Sequence, residues 1–75
     1  MALRVGMLWF DDDPKRSLAV KVARAAEHYR QKYGQAPNIC YVHESALEHE
    51  ATLQIPIKIV AVHDVLRHHL WIGLV

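Results

Sequence analysis

The chain has 75 residues, 52% of them hydrophobic, and its nine basic and eight acidic residues give a net charge of +1 at pH 7. This length fits a single domain over residues 1–75, and the balanced charge argues against nucleic acid or an anionic membrane as a partner. No apolar run approaches the roughly 18 residues of a membrane-spanning helix. Arg4 and Asp11 interrupt the apolar start too early for a signal peptide, so neither membrane insertion nor export is expected.

Cys40 is the only cysteine, which excludes a disulfide within the chain and favours a reducing, cytoplasmic location. A domain this short buries only about 60% of the surface that its unfolded chain exposes. Domains with so little core commonly gain stability from disulfides, a metal ion or a partner subunit. A metal site or oligomerisation is therefore expected.

The N-terminal half has the pattern of a strand followed by a helix. Residues 2–10 alternate as in a strand, and the end of this segment is apolar on both faces, as in a strand covered on both sides. Asp13 is predicted as the N-cap and Pro14 as the first residue of a long helix over about residues 14–33. Gly34 is predicted to end this helix in a left-handed conformation. The apolar stripe of the helix consists of Leu18, Val22, Ala25, Tyr29 and Tyr33.

The C-terminal half supplies three further strands, predicted at residues 38–43, 57–62 and 69–75. A capping-box spacing at Ser45 predicts a short second helix over about residues 46–51. Strands 1 and 2 with the helix between them make a βαβ unit and should run parallel, whereas the short connection between strands 3 and 4 suits antiparallel strands. The expected fold is a small two-layer α/β domain, bordering on α+β, with a mixed sheet of three or four strands in the order β-α-β-(α)-β-β.

The predicted sheet carries more apolar surface than one helix can cover. Large apolar side chains occur on both faces of strands 1, 3 and 4, and an exposed apolar patch of this kind usually marks an interface. Either residues 44–56 fold over the second face and leave a monomer, or another chain covers it. We expect a homodimer formed through this sheet face or through an edge strand. The interface or core candidates are Trp9, Phe10, Tyr41, Val60, Val62, Trp71 and Ile72.

Three consecutive carboxylates, Asp11 to Asp13, follow the first strand. Carboxylates at a strand end can bind Mg²⁺ or Mn²⁺, which prefer oxygen ligands. If the first three strands are parallel, their C-terminal ends bring further polar residues to the same rim of the sheet. The predicted metal site consists of Asp11, Asp12, His43, His63 and Asp64. The competing interpretation is structural, since carboxylates also end strands, cap helices and interact favourably with the helix dipole.

Six histidines are the one unusual feature of the composition, and the densest group contains His63, His68 and His69. Imidazole suits Zn²⁺ or Ni²⁺, but this spacing matches no metal-binding motif, so adventitious binding is the expectation for these ions. The histidines could instead make an oligomer pH-sensitive between about pH 5 and 7.

The function that the sequence favours is association. The expectation is a small cytoplasmic protein that acts as a homo-oligomeric or protein-binding module without catalytic activity. The alternative is a divalent-metal-dependent hydrolase, of the phosphodiesterase or nuclease kind, that uses the carboxylates after strand 1. No serine or cysteine stands in a recognisable arrangement with a histidine and an acid, so nucleophilic catalysis has little support.

Overall fold

The computed structural model describes residues 5–47 and 56–75. It confirms a small α/β fold with one long helix and a four-stranded mixed sheet. The end of the predicted short helix, beyond residue 47, lies outside the described residues, as do residues 2–4 of the predicted first strand. In chain order the elements are β1 (Val5–Phe10), α1 (Leu18–Tyr33), β2 (Ile39–His43), a 3₁₀ turn (Glu44–Leu47), β3 (Lys58–Val62) and β4 (His69–Leu74).

The strands are arranged in the order β1-β4-β2-β3. β4 pairs antiparallel with both β1 and β2, and β2 pairs parallel with β3. β1 and β2 therefore run in the same direction, as predicted for a βαβ unit, but β4 is inserted between them. β3 and β4 run antiparallel and are likewise separated, in their case by β2.

The helix begins at Leu18, so the predicted start at residue 14 and the predicted cap at Asp13 are wrong. Ser17 is the N-cap, and its hydroxyl oxygen accepts a hydrogen bond of 3.2 Å from the backbone N–H of Val20. The Asp13 carboxylate instead accepts the N–H of Lys15 at 2.8 Å, which closes a turn before the helix. Gly34 ends the helix as predicted, with φ of 76°, the left-handed conformation that glycine adopts without strain.

The core lies between α1 and one face of the sheet. The Tyr29 side chain is fully buried in it, and its hydroxyl donates to the Val5 carbonyl oxygen at 2.9 Å, which ties α1 to β1. Burial raises the pKa of the Cys40 thiol to about 12, so the thiol stays protonated at neutral pH. The buried core side chains are Leu18, Val22, Ala25 and Tyr29 of the helix and Cys40, Val42, Leu70 and Ile72 of the sheet.

Candidate functional site

The sheet face opposite α1, here called the outer face, carries a continuous set of large apolar side chains. Strand alternation and register place Leu8, Phe10, Tyr41, Val60, Val62 and Trp71 on this face. Four of them, Leu8, Trp71, Tyr41 and Val60, are register partners and form one row across the four strands. Leu8 is 58% exposed and Phe10 is 56% exposed, and both lie on β1. The outer face is thus most accessible at the β1 side of the sheet.

Trp71 fills the outer face over the start of β1. A Cβ atom added to Gly6 would lie 2.5 Å from the Trp71 ring, so the glycine makes room for the indole. The ring is half-buried, whereas Leu8 and Phe10 further along the same strand are exposed. The accessible part of β1 is therefore its C-terminal half.

β1 is an edge strand of the described sheet, with β4 on one side only. The Asp11 N–H donates to the His68 carbonyl at 2.9 Å and extends the β1–β4 ladder. In an antiparallel ladder, successive residues of a strand direct their N–H and C=O groups alternately toward and away from the neighbouring strand. Because Asp11 bonds to β4, the backbone groups of Gly6, Leu8 and Phe10 point away from β4. The strand contains neither charge nor proline, the two common devices that prevent an edge from pairing with another chain.

The structure divides the predicted interface residues into two groups. Ile72 is fully buried against α1, and Trp9 packs against the core with its ring centroid 4.5 Å from that of His28. These two therefore belong to the core rather than to an accessible surface, and the other five lie on the outer face. Leu8 was not among the predicted residues, although its alternation with Phe10 places it on the same face.

Asp11 is the buried carboxylate of the acidic corner and is only 6% exposed. It accepts hydrogen bonds from Arg16 Nε at 2.9 Å, from Arg16 Nη2 at 3.4 Å and from the Asp13 N–H at 3.0 Å. Arg16 Nη1 lies 3.3 Å from Asp13 Oδ2. The Arg16 hydrogen bonds hold the pKa of Asp11 below its ordinary value of 3.8. The contacts among Asp11, Asp13 and Arg16 stabilise the turn between β1 and α1.

The five residues of the predicted metal site do not converge. Asp11 and Asp12 follow β1, whereas His63 and Asp64 follow β3, and the strand order puts these two strands at opposite edges of the sheet. Three strand spacings of about 4.8 Å separate the two edges by roughly 14 Å. Across residues 5–47 and 56–75, no three His, Cys, Asp or Glu side chains form a group that could hold a metal ion, neither at the acidic corner nor at the histidines.

The histidines of the C-terminal half have separate surroundings. The His69 Nδ1–H donates to the Arg67 carbonyl at 2.9 Å, and its ring centroid lies 5.0 Å from that of Phe10. His68 has a positive φ of 66° in the turn that leads into β4. His63 is exposed in the turn after β3.

A cavity of about 480 Å³ lies where β1 and β2 end and where α1 and β4 begin. Three basic side chains line it from the start of α1 and the turn before it, namely Lys15, Arg16 and Lys21. Three histidines also line it, namely His43 at the end of β2, His68 in the turn before β4 and His69 at the start of β4. In α/β sheets, ligands commonly bind beyond the C-terminal ends of strands, where this cavity lies. No sequence motif predicted it, because the strand order brings its residues together.

Comparison with known proteins gives no match to a family model, to a curated protein or to a solved structure. No helix in the described part of the chain is long and apolar enough to cross a membrane. The candidate sites in the described part of the chain are the β1 edge with its outer face and the basic cavity.

Proposed function

We propose that this chain is a small homo-oligomeric protein whose activity is association, and that β1 pairs with β1 of a second copy. The observation that carries the proposal is the outer edge of β1. Gly6, Leu8 and Phe10 direct backbone donors and acceptors outward from a strand without charge or proline. An edge of this kind is a template for a further strand.

The edge suits a second copy because it is self-complementary. Two identical strands related by a two-fold axis pair antiparallel, so that if residue i of one copy lies opposite residue j of the other, residue j also lies opposite residue i. With the axis at Leu8, Gly6 of one copy lies opposite Phe10 of the other, and the outward groups of all three residues pair. The product is one continuous sheet made from both copies.

Side chains add to the backbone pairing. Leu8 and Phe10 of each copy become cross-strand neighbours on the outer face, where apolar and aromatic pairs contribute about 0.2–1 kcal/mol each. Both side chains are more than half exposed in the single chain, so pairing removes apolar surface from water. No charge has to be desolvated within β1, since the strand carries none.

We further propose that the protein has no catalytic activity and acts in the cytoplasm. Asp11, which the alternative metal-dependent hydrolase would use together with Asp12, accepts hydrogen bonds from Arg16 and from the Asp13 N–H. Cys40 is a free thiol buried in the core, which is compatible with a reducing compartment.

The proposal is tested by sedimentation equilibrium over a range of protein concentrations. We expect the chain, of 8.6 kDa, to approach twice that mass as the concentration rises. Leu8→Lys should remain a monomer, because a lysine on an edge strand disfavours pairing. Val20→Lys is the matched control, since Val20 is 45% exposed on α1, away from the edge, and this variant should dimerise normally.

Two outcomes would contradict the proposal. A wild-type chain that stays at the monomer mass at millimolar concentration would exclude self-association. A Leu8→Lys variant that dimerises like the wild type would show that the contact does not involve the β1 edge.

A further inference from the structure

The basic cavity is lined by three cationic side chains and by one carboxylate, Asp11, so its lining carries more positive than negative charge. Arg16 is engaged by Asp11 and by Asp13, at 2.9 and 3.3 Å. Lys15 and Lys21 have no ion-pair partner among residues 5–47 and 56–75. Lys21 lines the cavity and is near enough to Asp11 to contribute to the lowered pKa of that carboxyl. The cavity therefore favours an anion.

The end of β2 offers a hydrogen-bond donor. The Ser45 N–H donates to His43 Nδ1 at 3.1 Å, so this nitrogen is an acceptor and the ring proton is on Nε2. Ser45 Oγ lies 2.7 Å from the same Nδ1 and holds the ring in place. His43 thus adds an N–H donor to the lining of a cavity that Lys15 and Lys21 also line.

The third wall is a turn held in an unusual backbone conformation. The His69 N–H donates to the Leu66 carbonyl at 3.1 Å, and the His68 carbonyl accepts the Asp11 N–H. These two bonds hold His68 at a positive φ, which a residue other than glycine seldom adopts, and its imidazole lines the cavity. Residues from three separate parts of the chain thus line one space.

We propose that this cavity binds the phosphate group of a small phosphorylated molecule or free inorganic phosphate. Lys15, Lys21 and His43 supply the charge and the donors for the phosphate oxygens, and charge-assisted hydrogen bonds of this type are the strongest that proteins make. The volume of about 480 Å³ lies within the range of small-molecule sites, roughly 300–1,000 Å³, and so has room for more than the phosphate itself. This binding does not depend on dimerisation through β1.

The test is a titration of the full-length chain with inorganic phosphate, followed by amide chemical shifts at constant ionic strength. We expect saturable shifts at millimolar phosphate for Lys15, Ser45 and His68, with no comparable shifts when chloride is the added anion. Lys21→Gln should weaken binding about tenfold, the effect of losing one charge-assisted hydrogen bond. Lys32→Gln is the matched control, because Lys32 lies in the last turn of the same helix and should bind like the wild type.

A parallel titration with glycerol 3-phosphate distinguishes the two sources of the phosphate group. Tighter binding of the ester identifies a small phosphorylated molecule, and tighter binding of inorganic phosphate identifies the free ion. Shifts that do not saturate, equal shifts with chloride, or unchanged affinity in Lys21→Gln would overturn the proposal.

Discussion

The role predicted for Asp11 from the sequence differs from the role that it has in the structure. Its position at the end of a strand, in a run of three aspartates, predicted a ligand for a divalent cation. In the folded chain the Asp11 carboxylate accepts hydrogen bonds from Arg16, five residues later, and from the Asp13 N–H. The ion pair between Asp11 and Arg16 depends on the conformation of the turn between β1 and α1, which the sequence pattern does not predict. The residue stabilises the connection between β1 and α1.

The stability of the protein should depend on Asp11 in a pH-dependent way. The pKa of this carboxyl is lowered in the folded state, so its stabilising effect is complete above the ordinary value of 3.8. The effect disappears as the pH falls through the lower pKa of the folded state. Asp11→Asn should therefore have a lower urea midpoint than the wild type at about pH 7, and the difference should narrow as the pH falls below 3.8.

The control for that comparison is Asp64→Asn, because Asp64 is exposed in the turn after β3. Its urea midpoint should follow that of the wild type at both pH values. A deficit in Asp11→Asn that persists unchanged at acid pH would show that the carboxylate charge is not what stabilises the turn.

At the scale of elements, the end of α1 was predictable and its beginning was not. Gly34 is a strong and unambiguous end signal because few residues adopt a positive φ. At the other end, Asp13 and Ser17 are both good caps by residue type. In the turn before the helix, the Asp13 carbonyl accepts the Arg16 N–H and the Asp13 carboxylate accepts the Lys15 N–H. The N-cap of α1 is therefore Ser17.

Ser17→Ala should reduce the free energy of unfolding by about 1 kcal/mol, the usual effect of losing an N-cap side chain. Ser17→Thr keeps the hydroxyl oxygen and should retain most of that stability. Urea denaturation of the three proteins measures both effects. Equal stability of the alanine variant and the wild type would show that the Ser17 hydroxyl does not cap α1.

The alternation within β1 leads to a residue-specific prediction for the proposed dimer. In dilute solution the outward amides of Gly6, Leu8 and Phe10 should exchange with solvent rapidly, while those of Met7 and Trp9 are protected by β4. At concentrations where the dimer forms, the outward amides should become protected as well. Hydrogen exchange followed by NMR at two concentrations measures this. Outward amides that stay unprotected in the dimer would place the contact elsewhere, such as on the outer face.

At the scale of the whole molecule, sequence patterns predicted the elements and the fold class but not the arrangement of strands. Apolar periodicity and turn residues are local, so β1, α1, β2, β3 and β4 could be placed from them. Strand order depends on long-range pairing, and nothing local indicates that β4 lies between β1 and β2. The metal site was predicted from the first three strands running parallel, which they do, but the strand order places β1 and β3 at opposite edges of the sheet. The cavity was missed for the same reason, since its walls come from His43, His68 and the start of α1.

The two free edges of the described sheet differ, and the difference bears on whether assembly stops. β1 is uncharged throughout, whereas β3, at the other edge, opens with the exposed Lys58. When β1 pairs with β1, the β1 edge of both copies is occupied, so assembly through this edge stops at two chains. Pairing of β1 with β3 would leave one free edge of each kind and could repeat into a filament. A charge at the start of β3 opposes that growth, so Lys58 would act as a gatekeeper against fibre formation.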